Sequence, residues 1–259
     1  MIKLFRKAGR RFRKLRRKTA GALLSLHRKV RCNLCGWEGH RFLSDEWHKH
    51  IVCPRCNSLV RHRMIIAALE YLDAPCDGAV NGCKVLHFAP EPSLSEVIRR
   101  KSSGYFTADL NRRDVDIRID MSDMKDISEG QFDAVIACDV IEHIPDDRKA
   151  LAEIHRILSP GGIAILTVPQ KDGLETTFSD PDITDPRQRE VAFGHHDHLR
   201  IYGSDFTALL VSSGFQVREV VSDSFDPALV RQLILAPPFP SPRLLATNRQ
   251  VIFFARKQP

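Results

Sequence analysis

Beyond residue 84 the apolar positions fall into short runs separated by stretches of helical period. Runs at 85–88, 105–108, 115–119, 132–137 and 163–168 are compact and rich in Val, Ile, Phe and Ala, the pattern of buried strands. Between them, 94–101 and 146–158 repeat apolar residues every three or four positions; Ala150, Leu151, Ile154, Ile157 and Leu158 share one face of the second. Ser159, Pro160, Gly161 and Gly162 supply a stop for that helix. Strand–helix alternation predicts an α/β fold, a doubly wound and mainly parallel sheet. Such sheets bind ligands outside the carboxyl ends of their strands. The stretch 170–194 holds Lys171, Asp172, Asp180, Asp182 and Asp185 with few apolar residues and reads as a long loop, a candidate lid. Residues 226–249 carry five prolines and read as an irregular insertion.

Upstream the pattern changes. At a helical period Phe5, Ala8, Phe12, Leu15, Ala22 and Leu26 form one stripe, with Lys and Arg around it. Charge sharpens this picture. The formal net charge of the chain is +7, yet residues 1–31 hold 13 Lys or Arg and no acid, so the remaining residues are net acidic. A basic amphipathic arm suits RNA phosphates or an anionic membrane surface. No run of 18 apolar residues exists, which argues against a transmembrane helix. The apolar run 20–26 is short and leads straight into a cysteine pair, which argues against a secretory leader. The expected location is therefore cytoplasmic, with peripheral attachment to a membrane through the arm as a further expectation. Residues 58–72 again take a helical period through Leu59, Met64, Ile65, Ala68, Leu69 and Leu72, with Ser58 as N-cap. Pro75, Gly78 and Gly82 make 73–83 a linker.

Seven cysteines are present, an odd number that argues against a disulfide framework. Four of them, Cys32, Cys35, Cys53 and Cys56, form two C-x2-C pairs seventeen residues apart. That spacing matches a zinc site of two knuckles. Four thiolates leave no open coordination position, so the expected role is structural. A segment this short cannot build its own core, and zinc can contribute on the order of 10 kcal/mol to its folding. Trp37, Phe42 and Trp47 are the expected apolar cap.

The residues that follow each strand carry the candidate chemistry. Asp109 follows the second strand at a spacing typical of an acid that holds ribose hydroxyls. Asp120 and Met121 follow the third; Cys138, Asp139, Glu142 and His143 follow the fourth. Here the body resembles the class I S-adenosylmethionine-dependent methyltransferases. The resemblance is carried by 131–144 (QFDAVIACDVIEHI) and 158–169 (LSPGGIAILTVP), and by His198, Leu199, Arg200, Ile201 and Tyr202 ahead of Gly214 and Phe215. It implies a seven-stranded Rossmann-like sheet, a helix over 204–213, and strands six and seven at 217–220 and 251–255, the last antiparallel. It also implies the cofactor S-adenosylmethionine and a cofactor set of His87, Ala89, Glu91, Asp109, Leu110, Asp120, Met121 and Cys138. The first loop departs from the family: His87 stands where an acid is usual, and Ala89, Glu91 and Ser93 where glycines are. Glu91 is the expected partner of a cationic part of the cofactor.

His195, His196 and His198, with Asp197, form a dense group able to take a proton from a methyl acceptor. His195, His196 and His143 are the candidate catalytic residues, with Asp197 or Glu142 orienting one of them. The same histidines are a candidate metal set, although they match no fixed ligand spacing. The organisation expected is a basic arm (1–31), a four-cysteine zinc-knuckle segment with its helix (32–72) and a methyltransferase domain (84–259) acting on an acceptor the sequence does not name. The alternative is a non-catalytic, zinc-containing module on a degenerate methyltransferase fold, binding RNA or membrane through residues 1–69, with Trp37 and Trp47 available for stacking.

Overall fold

The computed structural model describes residues 29–259. The basic arm expected over 1–31 falls almost wholly outside them. No helix among the described residues is long and apolar enough to cross a membrane. The described chain opens with an antiparallel ribbon, β1 (Val30–Arg31) and β2 (Glu38–Gly39), and helix α1 (Val60–Tyr71) follows the second cysteine pair. Next come β3 (Lys84–Phe88), α2 (Pro92–Lys101), β4 (Gly104–Asp109), β5 (Ile117–Arg118), β6 (Phe132–Cys138), α3 (Asp147–Ile157) and β7 (Leu158–Thr167). A short ribbon of β8 (Phe178–Ser179) and β9 (Arg200–Ile201) encloses α4 (Pro186–Phe193). The chain ends with α5 (Phe206–Ser212), β10 (Phe215–Val220), α6 (Pro227–Leu233) and β11 (Ile252–Lys257).

Seven strands form one sheet in the order β10-β11-β7-β6-β3-β4-β5. β11 runs antiparallel to both its neighbours, and β3 to β7 are parallel. The central strands are buried on both faces, and alternate residues go to opposite sides. Val85, Ala134, Ile136, Ile163 and Phe254 face one core; Leu86, Phe88, Val135, Ala164 and Leu166 face the other. Helices α1 and α2 cover the first face through Met64, Ile65, Ala68, Leu94 and Ile98. Helices α3 and α5 cover the second through Leu151, Ile154, Phe206 and Leu210. Each such side chain contributes roughly 1.5–3 kcal/mol on burial. The Cys-bearing segment thus shares its apolar core with the sheet, and it packs beside the strand tips.

Local chemistry moved several boundaries. β5 keeps two residues of the expected 115–119, because the Asp116 carboxylate turns in and accepts from the Thr107 N–H and hydroxyl at 2.8 and 2.7 Å. β7 starts at Leu158, directly after α3, so residues 159–162 bulge from the strand instead of forming a loop. The pairing jumps from Phe132↔Leu158 to Ala134↔Ile163. A Cβ on Gly162 would sit 2.8 Å from the Ser159 carbonyl oxygen, which reserves that position for glycine. The expected cap of α1, Ser58, is displaced by one residue. Leu59 occupies the N-cap and its N–H donates to His62 Nδ1 at 3.2 Å, while the Ser58 hydroxyl turns to the cysteine sulfurs. Residues 170–194 contain β8 and α4, and 226–249 contain α6; Asp185 and Asp226 cap the two helices. Cys76 and Val80 of the expected linker are buried.

Candidate active site

The tips of β3, β4 and β6 surround a crevice of about 430 Å³. Ala89, Asp109, Leu110, Asp120, Met121 and His143 all line it. One Asp109 oxygen, Oδ1, accepts from the N–H groups of Asn111 and Arg112 at 2.7 and 2.9 Å. This turn leaves Oδ2 free for a ligand. Asp120 behaves alike: its Oδ1 accepts from the N–H and hydroxyl of Ser122, both at 2.8 Å. Two residues at strand tips take positive φ without being glycine, Ala89 at 45° and Asp139 at 52°. Left-handed backbone costs a non-glycine residue about 1–2 kcal/mol, and such strain concentrates at functional sites. Ala89 therefore makes, without glycine, the turn usual in glycine-rich loops.

Asp139 joins the crevice to a second cavity, of about 200 Å³, whose walls include Trp47, Arg61, Phe193, His195 and His198. Asp139 Oδ1 accepts from the Thr167 hydroxyl at 2.6 Å, and Oδ2 pairs with Arg61 Nη1 at 3.1 Å. Burial works against the charge on Arg61, but Asp139 and Glu91 more than offset it and raise the Arg61 pKa. Arg61 comes from α1, so the Cys-bearing segment supplies one wall of the site. Its neighbour His62 receives the Leu59 N–H at Nδ1 and donates from Nε2 to Glu91 at 2.9 Å. Burial lowers the His62 pKa, in keeping with a neutral ring. His87 receives the Tyr105 hydroxyl at 2.7 Å and donates to the other Glu91 oxygen at 3.2 Å. Burial alone would push Glu91 up; the donors from His62 and His87 hold it well below the usual carboxylate range.

Glu91 and His87 are therefore committed to each other and to α1, and neither lines the crevice, contrary to the expected cofactor role. Cys138 is also buried behind the tip, away from it. Alternation explains this: His87 and Cys138 point into the sheet face covered by α1.

The histidine segment folds back onto the loop after β6. Leu199 N–H donates to the Glu142 carbonyl at 3.0 Å, and Arg200 donates to the carbonyls of Ile144 and Pro145 at 2.6 and 2.8 Å. His195 and His143 both direct Nδ1 at Asp197 Oδ1, the latter at 3.3 Å. His196 is exposed, rests on the His195 ring, and lines neither cavity. Glu142 is fully buried, and neither carboxylate oxygen has a hydrogen-bond partner. Burial, reinforced by Asp139, pushes its pKa well above the ordinary value.

The four cysteine sulfurs lie within 4.8 Å of one another. Cys32–Cys56 and Cys35–Cys53 are 3.6 Å apart at sulfur. Four thiolates about 2.3 Å from a tetrahedral ion stand about 3.8 Å apart, so the donor set fits zinc. The knuckles are twins: Gly36 and Asn57, each just after a pair, both take positive φ. Trp37 and Phe42 pack as the expected cap, whereas Trp47 turns to the second cavity. Arg63, fully buried, lies over the Phe42 ring and donates to the carbonyls of Ile51, Ser58, Leu233 and Ile234. It thereby binds α1, the knuckles and the 226–249 insertion together.

Sequence reasoning placed Asp139 at a strand tip without giving it a role, and it did not single out Arg61 or Arg63. The available signal was a run of three basic side chains, 61–63, inside an apolar helix, since buried charge needs a partner.

Residues 81–166 match the family model of a methyltransferase domain. The match spans β3 to β7, whose tips make the crevice. The ubiquinone biosynthesis O-methyltransferase of Psychrobacter arcticus is 21% identical over 186 residues, covering 65% of this chain and 67% of the relative. That of Pseudomonas aeruginosa is 26% identical over 194 residues, covering 69% and 78%. Among solved structures, the 1,6-didemethyltoxoflavin-N1-methyltransferase of Burkholderia thailandensis, with 1,6-didemethyltoxoflavin and S-adenosylhomocysteine bound, superposes with a TM-score of 0.51 at 15% identity. The superposition covers 77% of this chain and 79% of that one, a likeness of fold.

Proposed function

We propose that this S-adenosylmethionine-dependent methyltransferase holds its cofactor in the crevice at Asp109 and Asp120 and methylates a hydroxyl of a small acceptor, or of the end of a larger one, in the cavity beside Arg61. The observation that carries this reading is the junction of the two spaces. They meet at Asp139, and histidines of one cluster line both: His143 the crevice, His195 and His198 the second cavity.

S-adenosylmethionine supplies a methyl group on a sulfonium, open to displacement by an in-line nucleophile. The protein aligns, dries the site and takes a proton. Asp109 Oδ2 accepts from ribose hydroxyls while Oδ1 holds the loop. Leu110 and Met121 supply apolar contact for the adenine. Asp139, fixed by Thr167 and Arg61, keeps the junction in shape. His195, with Nδ1 held by Asp197, presents Nε2 to the acceptor as general base; His196 is left aside. A cavity of about 200 Å³ is small beside ordinary ligand pockets of roughly 300–1,000 Å³. Trp47 and Phe193 favour a ring there. Cys32, Cys35, Cys53 and Cys56 bind structural zinc, and the knuckles hold α1 so that Arg61 reaches Asp139.

Calorimetry of the zinc-loaded protein with S-adenosylhomocysteine tests the reading. Micromolar binding is expected; no heat at any concentration refutes it.

A further inference from the structure

Three ligand-type atoms on the buried side of the histidine cluster do not touch one another, yet they converge. Glu142 Oε1 lies 3.8 Å from His198 Nε2 and 3.9 Å from His143 Nε2. Each of the three residues brings one ligand-type atom within 4.8 Å of those of the other two. These separations are too long for hydrogen bonds. Each ring is tethered at its far nitrogen instead. His198 Nδ1 donates to the Phe193 carbonyl at 3.1 Å, and His143 Nδ1 faces the Asp197 carboxylate at 3.3 Å. A carbonyl only accepts, so the proton of neutral His198 is on Nδ1 and its Nε2 lone pair points inward. His143, with Nδ1–H held by a carboxylate, presents Nε2 in the same way. This outer tethering, carbonyl for one ring and carboxylate for the other, is how metal-bound histidines are oriented. Between the two lone pairs stands a carboxylate that is fully buried and has no partner at either oxygen. A buried acid left so is costly unless something answers it.

We infer that Glu142, His143 and His198 bind a divalent transition-metal cation on the wall between the crevice and the second cavity. Two imidazoles and one carboxylate are the donor set of iron, manganese, cobalt or zinc with open positions, not of calcium. Bonds of about 2.1 Å to a tetrahedral ion place donors about 3.4 Å apart, so His143 and His198 each move inward by about half an ångström. His143, a third exposed at its side chain, has room to do so. The open positions face the acceptor.

The role of this cation rests on the methyl-transfer reading above. An acceptor hydroxyl at an open position loses its proton to His195 Nε2. The oxygen lone pair then forms the O–CH3 bond while the S–CH3 bond breaks. The sulfur keeps that electron pair and leaves as the thioether. The cation thus lowers the basicity that His195 must supply.

The test uses the full chain, zinc-loaded at the knuckles and dialysed free of excess metal, titrated with Co2+ and followed by visible absorption. One equivalent is expected to give weak ligand-field bands without the thiolate-to-cobalt charge-transfer band that exchange into the four-cysteine site would produce. Glu142→Gln and His198→Gln, checked for fold by circular dichroism, are expected to weaken Co2+ binding at least about tenfold. Asp197→Asn, which loosens the outer tether of His143 (and that of His195) but removes no ligand, weakens it less. Absence of the bands at millimolar Co2+, or unchanged binding by Glu142→Gln, overturns the site. S-adenosylhomocysteine affinity, measured in parallel, separates the outcomes. Lost cobalt with intact S-adenosylhomocysteine binding removes only the metal; absent S-adenosylhomocysteine binding removes the methyltransferase reading itself.

Discussion

Asp109→Asn isolates the cofactor contact from the loop that carries it. In the native chain Asp109 Oδ1 accepts two backbone N–H groups, from Asn111 and Arg112. Asparagine keeps a carbonyl oxygen for that turn. What it loses is the charged acceptor at the Oδ2 position, which lines the crevice. A hydrogen bond to an ionised acceptor is worth roughly 1.5–3 kcal/mol. The dissociation constant for S-adenosylhomocysteine should therefore rise roughly 10- to 150-fold, with the melting temperature of the ligand-free protein unchanged. Asp109→Ala should weaken binding further, because it also removes the turn. The control is Asp114→Asn; Asp114 is exposed and pairs with Arg112 on the outside of the same loop. Isothermal titration calorimetry on zinc-loaded protein reads all three variants. A change of less than about threefold for Asp109→Asn, some 0.65 kcal/mol, would refute the assignment of this carboxylate to the cofactor.

Arg63→Met removes the donor that four buried carbonyls share, a loss of about 3–5 kcal/mol by analogy with broken buried ion pairs. Urea unfolding at saturating zinc checks it, and a loss below about 1 kcal/mol contradicts the bracing role. Acid should destabilise the fold in two steps. His62 is neutral in the native state with a lowered pKa, so stability falls as pH drops below about 6.5, where the unfolded ring protonates. Glu91 has a depressed pKa, so its contribution is complete above about 4.5 and is lost as pH falls toward its native value. Thermal melts from pH 8 to 2 should show both losses, the second only below about pH 4.5, and Glu91→Gln should abolish the second. Stripping zinc with a strong chelator should loosen α1 and weaken S-adenosylhomocysteine binding, since Arg61 then loses its hold on Asp139. Equal affinity in the zinc-free, folded protein would show that the knuckles do not support the site.

Much of the architecture was legible along the chain. Apolar runs with a period near two and helices with a period near 3.6 are local properties, and they predict the order of strands and helices that the sheet displays. The cysteine pairs were equally readable, because a C-x2-C knuckle is closed within five residues. Asp109, Leu110, Asp120 and Met121 follow their strands directly, so the rule that ligands lie at strand tips was enough to place them at the crevice. Elements that depend on distant partners were misread: β5 shortened because Asp116 turned to Thr107, and residues 170–194 gained a helix where no apolar period announced one.

The sequence by itself therefore determined the layered α/β plan, the donor set of the cysteine cluster and the acids at the strand tips. Each of these follows from spacing along a few residues. The tertiary structure decided which of those groups meet. Glu91 leaves the cofactor for His62 and His87 because α1 packs on that face of the sheet. Arg61 reaches Asp139 because the knuckles anchor the start of α1 beside β6. Glu142, His143 and His198 converge because Arg200 and Leu199 fasten the histidine segment to the loop after β6. Such meetings depend on register and on which face each helix covers, and no local period records them.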